Sequence, residues 1–177
     1  GIETDRLFTS VMTDHGKLGK SLADAAIQSK AVKVGILSGN QSQLGMRQRL
    51  KSVKDNLAEA GIEISWILSE KELDKKMRNV EYFTENPVDT VISLENDDTE
   101  KAVDIILNHD SISWKLYGEG RSEKLIYYLD KGTIQELAVP NEYYMGYQSI
   151  VLAAQNIRYY TDKTERADVE FYMVSKD

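Results

Sequence analysis

Short apolar runs rich in β-branched residues alternate along this chain with longer segments whose apolar residues recur every three or four positions. The runs at 7–13 (LFTSVMT), 32–38 (AVKVGIL), 62–68 (IEISWIL) and 88–94 (VDTVISL) predict strands, as do 112–117, 133–139 and 168–174. Between them the spacing predicts helices over 17–30, 45–60, 71–84, 98–108, 122–131 and 143–161. Within 45–60, Met46, Leu50, Val53 and Leu57 fall on one stripe, and Gly61 follows as a C-terminal cap. Strand and helix taking turns, with connections of about two to six residues, call for a parallel sheet covered by helices. The run at 88–94 is apolar on both sides, as burial of both faces requires. The expected fold is therefore α/β, an open, mostly parallel sheet with helices on both faces. No repeat, low-complexity tract or linker divides residues 1–177, and Pro87 and Pro140 sit at junctions.

Composition narrows the functions this fold can carry. A formal net charge of -7 argues against a nucleic-acid face, which needs clustered Lys and Arg. The basic run Lys75-Lys76-Met77-Arg78 lies beside Glu70 and Asp74 and reads as a solvated helix surface. The chain has no cysteine, which removes disulfides, a thiol nucleophile and thiolate metal sites. No apolar run reaches the length of a membrane span, and Gly1-Ile2-Glu3 opens no signal peptide, so a targeting segment would lie upstream. Neither a nucleophile elbow nor a phosphate-binding loop is present. The two histidines, His15 and His109, make no triad or metal set, and His15 reads as a hinge residue. Asp97-Asp98 is the one acidic pair suited to Mg²⁺, without the nucleophilic Asp motif of a phosphatase after the first strand. Binding is expected rather than catalysis, with no cofactor.

In an open parallel sheet, ligands bind beyond the carboxyl ends of the strands. Four polar loops qualify: Asp14-His15-Gly16, Ser38-Gly39-Asn40-Gln41-Ser42, Glu95-Asn96-Asp97-Asp98 and Gly118-Glu119-Gly120-Arg121-Ser122. If they share one rim, their side chains can replace the hydrogen bonds that a polar ligand loses on leaving water.

From Asp14 to about Val151 the chain resembles the C-terminal lobe of a type I periplasmic sugar-binding protein, a fold shared with lactose-repressor-type effector domains. An ordered series carries the resemblance: TDHGKLGKSLADAAI, VGILSGNQSQLGMRQRLKSVKDNL, DTVISLENDDTEKAVDII and YGEGRSEKLIYYLDKGTIQELAVPNEYYMGYQSIVLAA. The resemblance implies a two-lobed protein with its ligand clamped in the cleft. Residues 1–14 and 163–177 resemble segments crossing between lobes, and an N-terminal lobe of roughly a hundred residues is expected upstream.

The resemblance also assigns ligand-contact roles, each with a plainer alternative. Arg49 matches the family arginine that reaches into the cleft, and its guanidinium suits hydroxyls or a carboxylate; a surface arginine paired with Asp55 or Glu59 is the alternative. Arg47, two residues away, points elsewhere and is expected to be solvated. Asn96 matches the family's Asn-Asp pair, and Asp14 its acid in the first loop; helix capping is the alternative for both. Where sugar-binding relatives carry Gly-Phe-Asp, this chain has Gly118-Glu119-Gly120, so Glu119 takes the acidic role. The family's later glutamine is replaced by Pro140, with Asn141 and Glu142 adjacent. Tyr143 and Tyr144 are the aromatics placed to stack on a ligand, whereas Trp66 and Trp114 read as core. The expected contact set is Asp14, Arg49, Asn96, Glu119, Asn141 and Tyr143.

The implied function is binding a small polar ligand, a carbohydrate by resemblance, for an ABC-type uptake system. The partners would be a membrane permease or sensor and the missing lobe. The location would be periplasmic, or the cell surface as a bacterial lipoprotein. The alternatives are the effector domain of a lactose-repressor-type regulator, which would be cytoplasmic, and the sensor domain of a receptor kinase. A lone lobe covers one side of a ligand, so weak or undetectable affinity is expected of the chain by itself.

Overall fold

The computed structural model describes residues 9–159 and 165–176. Its elements run β1 (Thr9–Thr13), α1 (His15–Gln28), β2 (Lys33–Leu37), α2 (Leu44–Glu59), β3 (Glu63–Leu68), α3 (Glu70–Lys76) and α4 (Glu81–Glu85). They continue with β4 (Thr90–Ser93), α5 (Asn96–Asn108), β5 (Lys115–Glu119), α6 (Glu123–Asp130), β6 (Ile134–Pro140), α7 (Glu142–Tyr159), β7 (Glu165–Val169) and β8 (Phe171–Ser175). Six strands form one sheet in the order β3-β2-β4-β5-β6-β8, parallel throughout except for β8, which runs antiparallel to β6.

Alternation along each strand sends side chains into two cores. Val34, Ile36, Ile92, Tyr117 and Ala138 face α1 and α2, where they meet Leu18, Leu22, Ala26, Val53 and Leu57. Leu37, Val91, Leu116 and Leu137 face the other way, onto Leu73, Phe83, Val103, Leu125 and Leu129. Trp66 and Trp114 lie in that second core, with ring centroids 5.7 and 5.2 Å from Phe83. They are core residues, as expected from their place in apolar runs. Gly61, at φ +70°, follows α2; the Gly61 and Ile62 amides donate to Ala58 and Leu57, closing the expected cap.

Three expectations are corrected. The first strand is not part of the main sheet: β1 pairs in parallel with β7 in a separate two-stranded ribbon. Residues 7–8 of that run, and 160–161 of the last helix, lie outside the described residues. The final run, 168–174, is not one strand. It breaks at Glu170, whose carbonyl accepts from the Asn141 amide, so its first half joins β1 and its second half joins β6. The helix expected at 71–84 is split into α3 and α4. Leu73 and Phe83, ten residues apart, would point about 80° from each other on a continuous helix. A turn in which the Asn79 amide donates to Lys76 redirects the chain and lets both enter one core.

Helices α1 and α2 approach each other at Gly19, where a Cβ would stand 2.4 Å from the Arg49 carbonyl oxygen. That neighbour is backbone and cannot swing aside. Gly19→Ala is expected to destabilise the fold by about 1–3 kcal/mol through overpacking, read as a lower midpoint in urea unfolding at unchanged slope.

Candidate ligand-binding site

The loops at the carboxyl ends of the strands are linked by side chains. The Asn40 amide donates to Glu95 Oε2, and the Gly39 amide to Asp98 Oδ2, joining the β2–α2 loop to the start of α5. The Arg121 amide donates to Asn96 Oδ1, joining α5 to the loop after β5. The first loop is brought in from the separate ribbon. His15 opens α1 and accepts at Nδ1 from Arg49 Nε over 3.1 Å, and its ring lies where a Cβ on Gly45 would go. One rim therefore collects all four expected loops, although only three follow strands of the main sheet.

Arg49 is the central charge of this rim and is 4% exposed. It lies three residues after Met46 and four before Val53, so helical spacing places it on the buried stripe of α2. It does not pair with Asp55, which takes Lys51 at 2.5 Å. Its Nη1 donates to the Leu94 carbonyl at 2.5 Å and lies 3.5 Å from Glu119 Oε2. Burial pushes the Glu119 carboxyl up from its usual range, and the Arg49 guanidinium and Asn96 amide oppose that shift. Arg47 is exposed and donates to the Gln41 and Ser42 carbonyls, so it braces the neighbouring loop.

Two adjoining depressions flank Glu119. One, of about 610 Å³, lies between β1 and the start of α7, and its wall includes Thr13, His15, Arg49, Glu119, Glu142 and Ser149. The other, of about 480 Å³, is bounded by Asn96, Glu119, Gly120, Arg121, Ser122 and Glu142. Glu119 and Glu142 border both, so the two depressions adjoin at this pair and make one open basin region with a mixture of hydrogen-bond donors and acceptors on its walls. Arg121 Nη2 spans it to Glu142 Oε2 at 2.5 Å.

Of the six expected contacts, Arg49, Asn96 and Glu119 come together at the basin. The other three stand apart from it. Asp14 accepts from the Lys17 amide as the N-cap of α1 and borders a different depression, shared with Gln48 and Ser52 of α2. Asn141 accepts from the Tyr144 amide at the start of α7, and its Nδ2 donates to the Tyr172 hydroxyl. Tyr143 is 88% exposed and lines neither basin wall. The expected contact set left out Glu142, Met145, Gly146 and Ser149. Their spacing of zero, three, four and seven puts them on one helical face, and that face borders the basin. The same spacing rule separates them from Tyr143.

Gly118 and Gly120 serve close packing. A Cβ at Gly118 would stand 2.4 Å from Thr99 Cγ2, and one at Gly120 would stand 2.8 Å from Asn96 Oδ1, so both let α5 settle against β5. Thr99 Oγ1 meanwhile contacts Ser93 Oγ and the carbonyls of Glu95 and Glu119, locking the two strand ends together.

Residues 2–160 match the family model described as a periplasmic binding protein domain. The chain belongs to that family. No curated protein sequence matches it. Among solved structures, it is similar to a carbohydrate transporter solute-binding protein from Agrobacterium Radiobacter in complex with D-arabinose, at 20% identity and TM-score 0.86. That match covers 99% of this chain and 64% of the other. GanP, a glucose-galactose binding protein from Geobacillus stearothermophilus, matches at 20% identity and TM-score 0.82, covering 99% of this chain and 65% of its own. A putative LacI transcriptional regulator from Bacteroides fragilis matches at 14% and 0.79, covering 94% and 61%. At these identities the likeness is one of fold. This periplasmic binding protein domain spans less than two thirds of the length of these structures. Among the described residues, no helix is long and apolar enough to cross a membrane.

In this family member the loop at 38–42 is closed on itself and lines neither basin wall. Ser38 Oγ donates to the Leu68 carbonyl, Gln41 Nε2 donates to the Ser38 carbonyl, and Glu95 and Asp98 hold the next two amides. The acidic pair diverges: Asp97 is exposed, while Asp98 is fully buried, with Oδ1 3.6 Å from Lys101 Nζ. Burial, aided by nearby Glu95, raises the Asp98 carboxyl from 3.8 to about 6, against the pull of Lys101 and the Gly39 amide. Because the folded value lies above the unfolded one, the protonated form favours folding. That contribution is complete below about pH 4 and disappears as pH rises through about 6. Asp98→Asn keeps an acceptor for Gly39 and removes the titration. Its stability relative to the parent is expected to rise by on the order of 2 kcal/mol between about pH 4 and 7, measured by urea unfolding across that range. A constant difference would contradict the assignment.

Proposed function

We propose that the chain is the C-terminal lobe of an extracytoplasmic solute-binding protein, in the periplasm or on the cell surface as a lipoprotein. In this reading it presents a sugar or similar polyhydroxylated solute to the membrane permease of an ABC-type uptake system. The observation that carries the reading is the open basin around Glu119. Buried Arg49 orders its floor, and Thr13, Asn96, Glu119, Glu142 and Ser149 offer alternating donors and acceptors around it. Such a surface satisfies hydroxyls on one side of a ligand. The similar transporter protein bound to D-arabinose and the glucose-galactose binding protein GanP support the same ligand class.

The other side would come from a second lobe. Helix α7 supports this, because Tyr143, Tyr147, Ile150 and Ile157 form an exposed stripe at intervals of four, three and seven, between 55% and 88% exposed. A first lobe seated on that stripe would close the basin from above. Hydrogen exchange is expected to show α7 amides weakly protected in this chain and strongly protected when a first lobe is joined to it. Equal protection in both would remove the support.

Half a site binds weakly, because desolvation and ordering are offset on one face only. Titrating the chain with D-galactose up to about 0.1 M should give millimolar binding, with amide NMR shifts confined to the strand-end loops and the start of α7. Micromolar affinity of the lone chain for D-galactose, D-arabinose or D-glucose, or shifts outside those segments, would overturn the half-site reading.

A further inference from the structure

The side chain of Glu119 stands where an acidic ligand would need to place its own charge. An incoming carboxylate or phosphate would seek a guanidinium and the free amides of a helix start, the strongest pairing for an anion. Both are present at the basin floor, in Arg49 and in the first turn of α5, whose N-cap Glu95 makes no side-chain capping bond. The protein's own carboxylate already occupies that position. Glu119 Oε2 lies 3.5 Å from Arg49 Nη1, and this guanidinium, with the Asn96 amide, opposes the upward push that burial gives the Glu119 carboxyl. Arg49 spends its other contacts on His15 Nδ1 and the Leu94 carbonyl. Arg121, the second cation on the wall, is held by Glu142. The charged side chains lining the basin are thus Arg49 and Arg121 against Glu119, Glu123 and Glu142.

We propose that Glu119 determines specificity by acting as a resident anion, which excludes acidic ligands such as uronic acids while leaving carboxylate oxygens to accept from neutral polyols. The proposal rests on the sugar-binding reading above. It explains why a buried arginine at the centre of a polar basin does not make the basin an acid-binding site. A ligand carboxylate entering here meets like charge at Glu119 and Glu142, in a setting less screened than bulk water.

The test compares D-galactose with D-galacturonate, which differ at one carbon, by amide NMR titration of the 177-residue chain and of Glu119→Gln. For the parent chain, galacturonate should bind at least about tenfold more weakly than galactose. In Glu119→Gln the ratio should shift toward galacturonate by about tenfold or more, because Arg49 and the α5 start are released. Equal affinity of the parent chain for both sugars would overturn the proposal, and that comparison decides even if the variant fails to fold. An unchanged ratio in a folded variant would also overturn it. Both results leave the sugar-binding reading intact, whereas galactose shifts that fall outside the strand-end loops and the start of α7 would defeat that reading as well.

Discussion

The buried guanidinium of Arg49 ties together the start of α1, the body of α2 and the ends of β4 and β5. Removing an ion from water costs several kcal/mol after relaxation, so a buried arginine persists only where its donors are met. Here His15 and the Leu94 carbonyl accept from Nε and Nη1, the Glu119 carboxylate lies beside Nη1, and each partner comes from a different segment. The arrangement fixes His15 on the rim, although β1 stands outside the main sheet. It also places the Glu119 carboxylate at the basin floor. Geometry that a ligand would read is therefore set by a contact made within the protein.

A second group of charges has a different role. Glu95, Asp98 and Lys101 organise the joint between the β2–α2 loop and α5, where Asp98 and Glu95 accept from consecutive amides. These acids are structural. They satisfy backbone donors that the left-handed turn at Gly39, φ +64°, would otherwise leave buried. The acidic sequence after β4 thus divides its labour. Glu95 and Asp98 hold the adjacent loop, Asp97 faces solvent, and Asn96 turns toward the basin and Arg121.

Helix α7 shows how one element can face two ways. Glu142, Met145, Gly146 and Ser149 border the basin, while Tyr143, Tyr147, Ile150 and Ile157 form an exposed apolar stripe. Both faces follow from helical spacing within one 18-residue element. In the main sheet the same logic operates at period two. Successive residues such as Val91 and Ile92 enter opposite cores, which is why the central strands read as continuous apolar runs.

The sequence by itself determined the class of the fold, because alternating periods of two and 3.6 admit few architectures other than a helix-covered parallel sheet. It also marked the polar strand ends and placed Trp66 and Trp114 in the core. The burial of Arg49 was legible too, since it shares the stripe of Met46 and Val53; the rule that arginines favour the surface hid it. Only the tertiary structure decided that Asp14 and Asn141 cap helices, because a carboxylate or amide beside a helix start suits capping and ligand equally. The same holds for the division of 168–174 between two sheets. Strand propensity is local, whereas the choice of pairing partner depends on which edges the rest of the chain leaves open.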